Sequence, residues 1–266
     1  MDINSLLLWH KFNCYRFEED KHLYFYNDER VNCSVTQFTH NFFQEFDSDA
    51  IATKYAKKHN LNKEDVLKKW ELESHISSVT GTIIHSYLEN AKRGKVFEID
   101  YSEAEKYSIV PEVEEKLSIL LPQAEAFHQD TLNKLFPIQL EYTVGIENHI
   151  AGNIDMLCWN QKAQEFQIWD YKNLKKMTTN NPYGQTGMGA FRRLPDCHLV
   201  KYSIQQNTYK CILQRELGIK IGKCYLVHFN SISPTNTFDI YECYDLQNEC
   251  NIEIDNLIAR NLDGSK

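Results

Sequence analysis

The chain has 266 residues, enough for one large domain with a substantial core, while two equal domains fit less well. Its 42% hydrophobic and 25% charged residues exclude a disordered chain, and its longest early apolar run, Leu6 to Trp9, is far too short to span a bilayer. The net charge of −8 excludes a protein that coats nucleic acid by bulk electrostatics, and acidic Asp2 opposes the basic start of a secretory signal, so an intracellular, cytoplasmic protein with no membrane partner is expected.

Tyr15 to Val35 alternates aromatic and polar residues around Asp28-Glu29 and predicts a hairpin. Ser34 or Thr36 then caps a helix through Phe43. Residues 48 to 76, rich in Ala, Lys, Glu and Leu without Gly or Pro, predict one or two helices capped by Asp49 and Asn62. Gly81-Thr82 opens a further helix to about Arg93, stopped by Gly94, with Ile84, Leu88 and Ala91 on one apolar face and His85 and Glu89 one turn apart. A long helix follows from about Pro111 to Leu135, bent at Pro122.

After Pro137 the pattern changes to alternation, and Ile138 to Gly145, Ile150 to Trp159 and Glu165 to Tyr171 read as three consecutive strands. Asn173 to Leu199 has three glycines, two prolines and no periodicity, which marks a functional or mobile loop. Tyr202 to Leu217 is a helix ended by Gly218, Lys223 to Phe229 is a strand, and an acidic tail supplies one more strand and a terminal helix.

The eight cysteines show no C-x-x-C pair and no histidine spaced to complete a finger, so neither zinc nor an iron–sulfur cluster is expected; they read as reduced thiols packed as small hydrophobes. Charge is segregated. Lys175, Lys176, Arg192, Arg193 and Lys201 face one acid, Asp196, across the loop segment, whereas Asp239 to Lys266 is strongly acidic.

The chemistry concentrates in Gly152-Asn153-Ile154-Asp155 and in Asp170-Tyr171-Lys172, which follows on the next antiparallel strand. Two converging carboxylates repel unless something positive lies between them, and Mg2+ or Mn2+ meets that need with oxygen ligands. Residues two apart on a strand share a face, so Lys172 projects beside Asp170, placed to orient or deprotonate water or to stabilise phosphate charge. Tyr171 faces the other way, with its backbone carbonyl placed as a metal ligand. Basic Lys175, Lys176, Arg192, Arg193 and Lys201, with Tyr183 and Phe191 as stacking platforms, make the loop a candidate DNA contact.

Taken alone a D…D-x-K pattern is common; the ordered set is not. Gly81-x-x-x-His85, Gly152-x-x-Asp155, Asp170-Tyr171-Lys172 and Gln205-x-x-x-Tyr209 resemble, in order and rough spacing, the RecB-like branch of the PD-(D/E)XK nuclease superfamily, close to the mitochondrial genome-maintenance exonuclease, CRISPR-associated exonucleases and many phage nucleases. The resemblance covers about residues 20 to 230. It implies an α/β (α+β) fold: a restriction-endonuclease-like core, with a central mixed sheet flanked by helices and an N-terminal helical elaboration. It also implies one- or two-metal phosphodiester hydrolysis, commonly exonuclease action on DNA ends.

Carried over, His85 is a metal ligand, Asp155 and Asp170 are the two acidic ligands, and Lys172 is the catalytic lysine. Gln205 and Tyr209 contact the lysine, the metal-bound water or the phosphate. Glu141 matches a less regular acidic position and ranks below the others. The second acid is Asp where the family name has Glu, and Cys211, Cys224, Cys243 and Cys250 are spread too widely for the iron–sulfur cluster of some relatives.

The expected layout is one nuclease domain: residues 1–80 as hairpin and helical elaboration, 81–230 as catalytic core and 231–266 as the acidic segment. The expected activity is metal-dependent exonuclease action on single-stranded or frayed DNA in phage or cellular processing, repair or recombination. A compact nuclease without an attached helicase suggests phage origin. A structure-specific endonuclease on the same core and a catalytically silent DNA-binding protein stay open as alternatives.

Overall fold

The alternating segments after Pro137 form the middle of a six-stranded mixed sheet in the computed structural model, which describes residues 8–18, 21 and 23–264. Asp2, the start of the Leu6 to Trp9 run and Lys266 lie outside the described residues. Strands β1 (Tyr15–Glu18), β2 (Leu23–Tyr26) and β3 (Glu29–Arg30) make a separate antiparallel meander, so the expected hairpin gains a third strand. Asn27 and Asp28, with φ of 48° and 67°, turn the chain between β2 and β3; Asn and Asp tolerate this left-handed conformation better than bulkier residues.

Strand β4 (Cys33–Ser34) leads into α1 (Val35–His40), capped by the Ser34 hydroxyl, which accepts the Gln37 N–H at 3.0 Å. Helix α2 (Ser48–His59) is capped by Asp47 rather than by the expected Asp49. Helix α3 then runs unbroken over Lys63–Arg93, capped by Asn62 and ended by left-handed Gly94. The expected helix start at Gly81 is therefore corrected. Ile76, Val79, Ile83 and Ile84 carry one apolar stripe through the glycine, and burying it outweighs the roughly 1 kcal/mol that an interior glycine costs. The boundary between residues 80 and 81 falls inside this helix.

A short α4 (Ser102–Lys106) precedes α5 (Val110–Asp130), with Pro111 in its first turn and Pro122 inside it. It stops at Asp130 rather than Leu135, where Lys92 Nζ donates to the Leu132 and Leu135 carbonyls at 2.8 and 2.6 Å. Strands β5 (Phe136–Ile146), β6 (Ile150–Asn160) and β7 (Glu165–Leu174) are antiparallel neighbours. Helix α6 (His198–Leu217), ended by Gly218, returns the chain so that β8 (Ile221–Asn230) pairs parallel to β7. The acidic segment adds β9 (Asp239–Glu242), antiparallel to β8, and α7 (Gln247–Leu262), as expected.

Helices α3 and α5 cover one face of the sheet, burying Ile84, Leu88, Leu120 and Phe127 with Met156, Trp169 and Phe229. Helices α1, α6 and α7 cover the other, burying Val35, Ile204, Ile212 and Ile254 with Ile154, Ile168 and Leu226. Each such fully buried side chain contributes about 1.5–3 kcal/mol. The class is mixed α/β with a mixed central sheet flanked by helices. All eight cysteines carry free thiols, six of them buried. No helix among the described residues is long and apolar enough to cross a membrane.

Candidate active site

Strand β6 has β5 along one edge and two different partners along the other. Ile150 and Ala151 pair with β4, and Met156 to Asn160 pair with β7, so among the described residues no strand lies beside residues 152–155 on that edge. Backbone polar groups left there need other partners. Side chains supply them: the Tyr171 N–H donates to Asp155 Oδ2 at 2.8 Å, and the Tyr24 phenol, brought in by β2 against Ala151, bonds the Asn153 backbone. Burial, then the nearby Glu141 and Asp155, push the Tyr24 phenol above its usual range.

The Tyr209 ring covers Gly152. A Cβ at that position would stand 2.9 Å from the Tyr209 ring and hydroxyl and from Val35, so the glycine of Gly152-x-x-Asp155 is where α6 reaches the strand. Gln205, one turn earlier, is hydrogen-bonded to Tyr209, whose phenol burial pushes far up. These two expected residues therefore flank the opening.

Three side chains converge at its mouth. His85, Glu141 and Asp155 bring ligand atoms within 4.8 Å of one another. His85 Nε2 lies 3.1 Å from the Tyr171 carbonyl, an oxygen that only accepts, so this nitrogen carries the proton. Nδ1 then points at Asp155 Oδ2 at 3.5 Å and Glu141 Oε1 at 3.9 Å. Only a proton or a cation sits comfortably between a ring lone pair and two carboxylates. A metal-ligating histidine commonly donates its other N–H to a backbone carbonyl, and this ring does so. One imidazole nitrogen and two carboxylate oxygens are a donor set that could hold a divalent cation.

Three expectations change here. Glu141, ranked below the other ligands, belongs to the converging group, whereas Asp170, expected as the second acidic ligand, stands outside it. Asp170 Oδ2 is instead 2.6 Å from Lys172 Nζ. The Tyr171 carbonyl, expected as a ligand, accepts from His85. Glu141 also has φ of 48°, a conformation that costs a non-glycine residue on the order of 1–3 kcal/mol and that clusters at functional sites.

Asp170 and Lys172 project together toward α6, as strand alternation predicts, and Lys172 Nζ lies 4.8 Å from the centre of the Tyr202 ring. Burial pushes the Asp170 carboxyl up to about 6, with Lys172 opposing and Asp155 adding. Burial alone would lower the Lys172 ammonium, but Asp170 and Asp155 overrule it and hold it above its ordinary value. Lys172 therefore stays charged, which suits a donor to phosphate better than a base.

Neither protein-family models nor curated proteins give a match to this chain.

The expected nucleic-acid contacts divide. Lys176, Arg192 and Arg193 are exposed, and Tyr183 is 86% exposed on the loop. Lys175 is paired with Glu73 and Lys201 with Asp196, each at 2.6 Å, and Lys201 also lies over the Phe43 ring. Phe191 is corrected outright. It is fully buried, edge-on to Phe42 at 4.8 Å, because the loop folds back: Met188 N donates to the Phe42 carbonyl and Ala190 N to Glu253.

Sequence reading passes over Asn153, Thr143, Tyr24 and Tyr202. For the first two a signal exists, since Asn153 stands two residues from Asp155 and Thr143 two from Glu141, which places each pair on one face of its strand.

Proposed function

We propose that the chain is a Mg2+- or Mn2+-dependent deoxyribonuclease of the PD-(D/E)XK kind, an exonuclease working inside the cell on single-stranded or frayed DNA ends. The observation that carries this reading is the meeting of His85, Glu141 and Asp155 at the opening in the sheet, with the Asp170–Lys172 pair beside them. The mixed sheet between helical layers is compatible with a restriction-endonuclease-like core.

A cation held by His85, Glu141 and Asp155 would polarise a phosphoryl oxygen and activate water. Lys172, kept charged by its acidic neighbours, donates to the phosphate as negative charge builds. Asp170 holds the lysine in place. Tyr209, steadied by Gln205, closes the floor of the site. Lys176, Arg192, Arg193 and Tyr183 lie exposed beyond the end of β7, where a strand leaving the site would meet charge and one stacking ring.

The test is a time course on end-labelled linear single-stranded and double-stranded DNA and on circular single-stranded DNA, in Mg2+, in Mn2+ and in chelator. Metal-dependent loss of the linear substrates with the circle intact is expected, and Asp155→Ala and Lys172→Ala should each slow it by at least about 100-fold. Intact DNA throughout, or variants that match the wild type, removes the proposal. Cleavage of the circle turns it into an endonuclease.

A further inference from the structure

Glu141 brings its two oxygens to different partners. Oε1 faces the His85 ring, while Oε2 accepts from Asn153 Nδ2 at 2.6 Å. Behind that amide the Thr143 hydroxyl donates to Asn153 Oδ1 at 3.2 Å. The direction of this chain is set by chemistry. A carboxylate only accepts, so the amide must present its nitrogen to Glu141, and its oxygen is then left for Thr143. Thr143 and Asn153 stand directly opposite each other on β5 and β6, so the two strands hold the relay in register.

We infer that Asn153 is a positioning residue that restricts Glu141 to a single oxygen and so biases the site against Ca2+, an inference that rests on the metal-dependent reading above. Ca2+ takes six to eight oxygens at longer range and readily uses both oxygens of one carboxylate, whereas Mg2+ demands near-octahedral geometry with single oxygens and Mn2+ shares its taste for carboxylate. To grip a cation with both oxygens Glu141 must swing Oε2 away from the Asn153 amide, which holds it at 2.6 Å, toward the side where Oε1 faces His85, on a backbone already held at positive φ. Asp155 is held differently: a single oxygen, Oδ2, both takes the Tyr171 N–H at 2.8 Å and faces His85. Both acids thus reach the mouth of the site with their rotation fixed by donors that are not ligands.

Isothermal titration calorimetry of the metal-stripped full chain with manganese(II) chloride, and separately with calcium chloride, tests this. Asn153→Ala should lower the ratio of the Ca2+ Kd to the Mn2+ Kd by about tenfold, because a freed Glu141 gains a second oxygen for Ca2+ and loses its preset position for Mn2+. Thr143→Val leaves every candidate ligand in place and should move the ratio the same way by a smaller factor. An unchanged ratio in Asn153→Ala, with Mn2+ still bound, overturns the inference and leaves the metal site standing. If Asn153→Ala does not fold, an unchanged ratio in Thr143→Val overturns it instead. Wild-type protein that binds neither ion overturns the metal reading, and this inference with it.

Discussion

His85 and Asp155 face each other at 3.5 Å across the mouth of the opening in the sheet, with the far nitrogen of the same ring committed to the Tyr171 carbonyl. The imidazole is therefore oriented before any cation arrives. His85→Ala should weaken Mn2+ binding by about 10- to 100-fold. Calorimetric titration of the metal-stripped variant checks this, and wild-type affinity in His85→Ala would take His85 out of the metal site.

The contact between Gly152 and Tyr209 gives a second prediction. Gly152→Ala drives a methyl to within 2.9 Å of the Tyr209 ring and the Val35 side chain, and overpacking of this kind costs about 1–3 kcal/mol. Urea denaturation should show that loss. Tyr209→Ala added to Gly152→Ala should be less damaging than Tyr209→Ala in the wild type, because the methyl then no longer meets the ring. Strictly additive losses would mean that the ring is not what excludes a side chain at position 152.

Phe191 and Tyr183 were expected to act alike and should behave oppositely. Phe191→Ala empties a fully buried site beside Phe42 and should cost about 3–5 kcal/mol of stability. Tyr183→Ala removes an exposed ring, should leave the melting temperature within a degree or so, and should weaken single-stranded DNA binding by about 1–3 kcal/mol. Thermal melts and fluorescence-anisotropy titrations separate the two. A Tyr183→Ala variant that melts early but binds DNA normally contradicts the assignment.

How far the sequence could reach is visible in these residues. The strands that carry Glu141, Asp155 and Asp170 follow from two-residue alternation, and the same rule places Lys172 beside Asp170. The helix carrying His85 follows from its apolar stripe, but its start did not, because glycine is read as a breaker and only tertiary burial shows that the stripe runs on through Gly81. Asp170 reads as a ligand because adjacent strands bring it toward Asp155, and the sequence does not show that its Oδ2 meets Lys172 instead. The gap beside residues 152–155 among the described strands comes from the way β4 and β7 share one edge of β6, and no local pattern encodes it or the positive φ of Glu141. Phe191 lies in a segment without periodicity, so nothing local distinguishes a ring that turns inward from one that turns out.

The buried Asp170–Lys172 pair makes the stability of the metal-free protein depend on pH with a definite sign. Asp170 is pushed from 3.8 up to about 6, so the folded chain keeps this proton at a pH where the unfolded chain has already lost it. Its contribution to stability is fully present below about pH 4 and disappears as pH rises through about 6. Lys172 is shifted upward from 10.5 and keeps its proton in both states across that window, so it adds no slope there. In chelator, wild-type unfolding free energy should fall relative to Asp170→Asn by on the order of 1–3 kcal/mol between acid and neutral pH. Other carboxylates cancel in that difference, provided their surroundings are unchanged. Urea denaturation of both proteins at several pH values measures it. Parallel curves would show that Asp170 ionises in the folded chain as readily as in the unfolded one, and that burial does not control its charge.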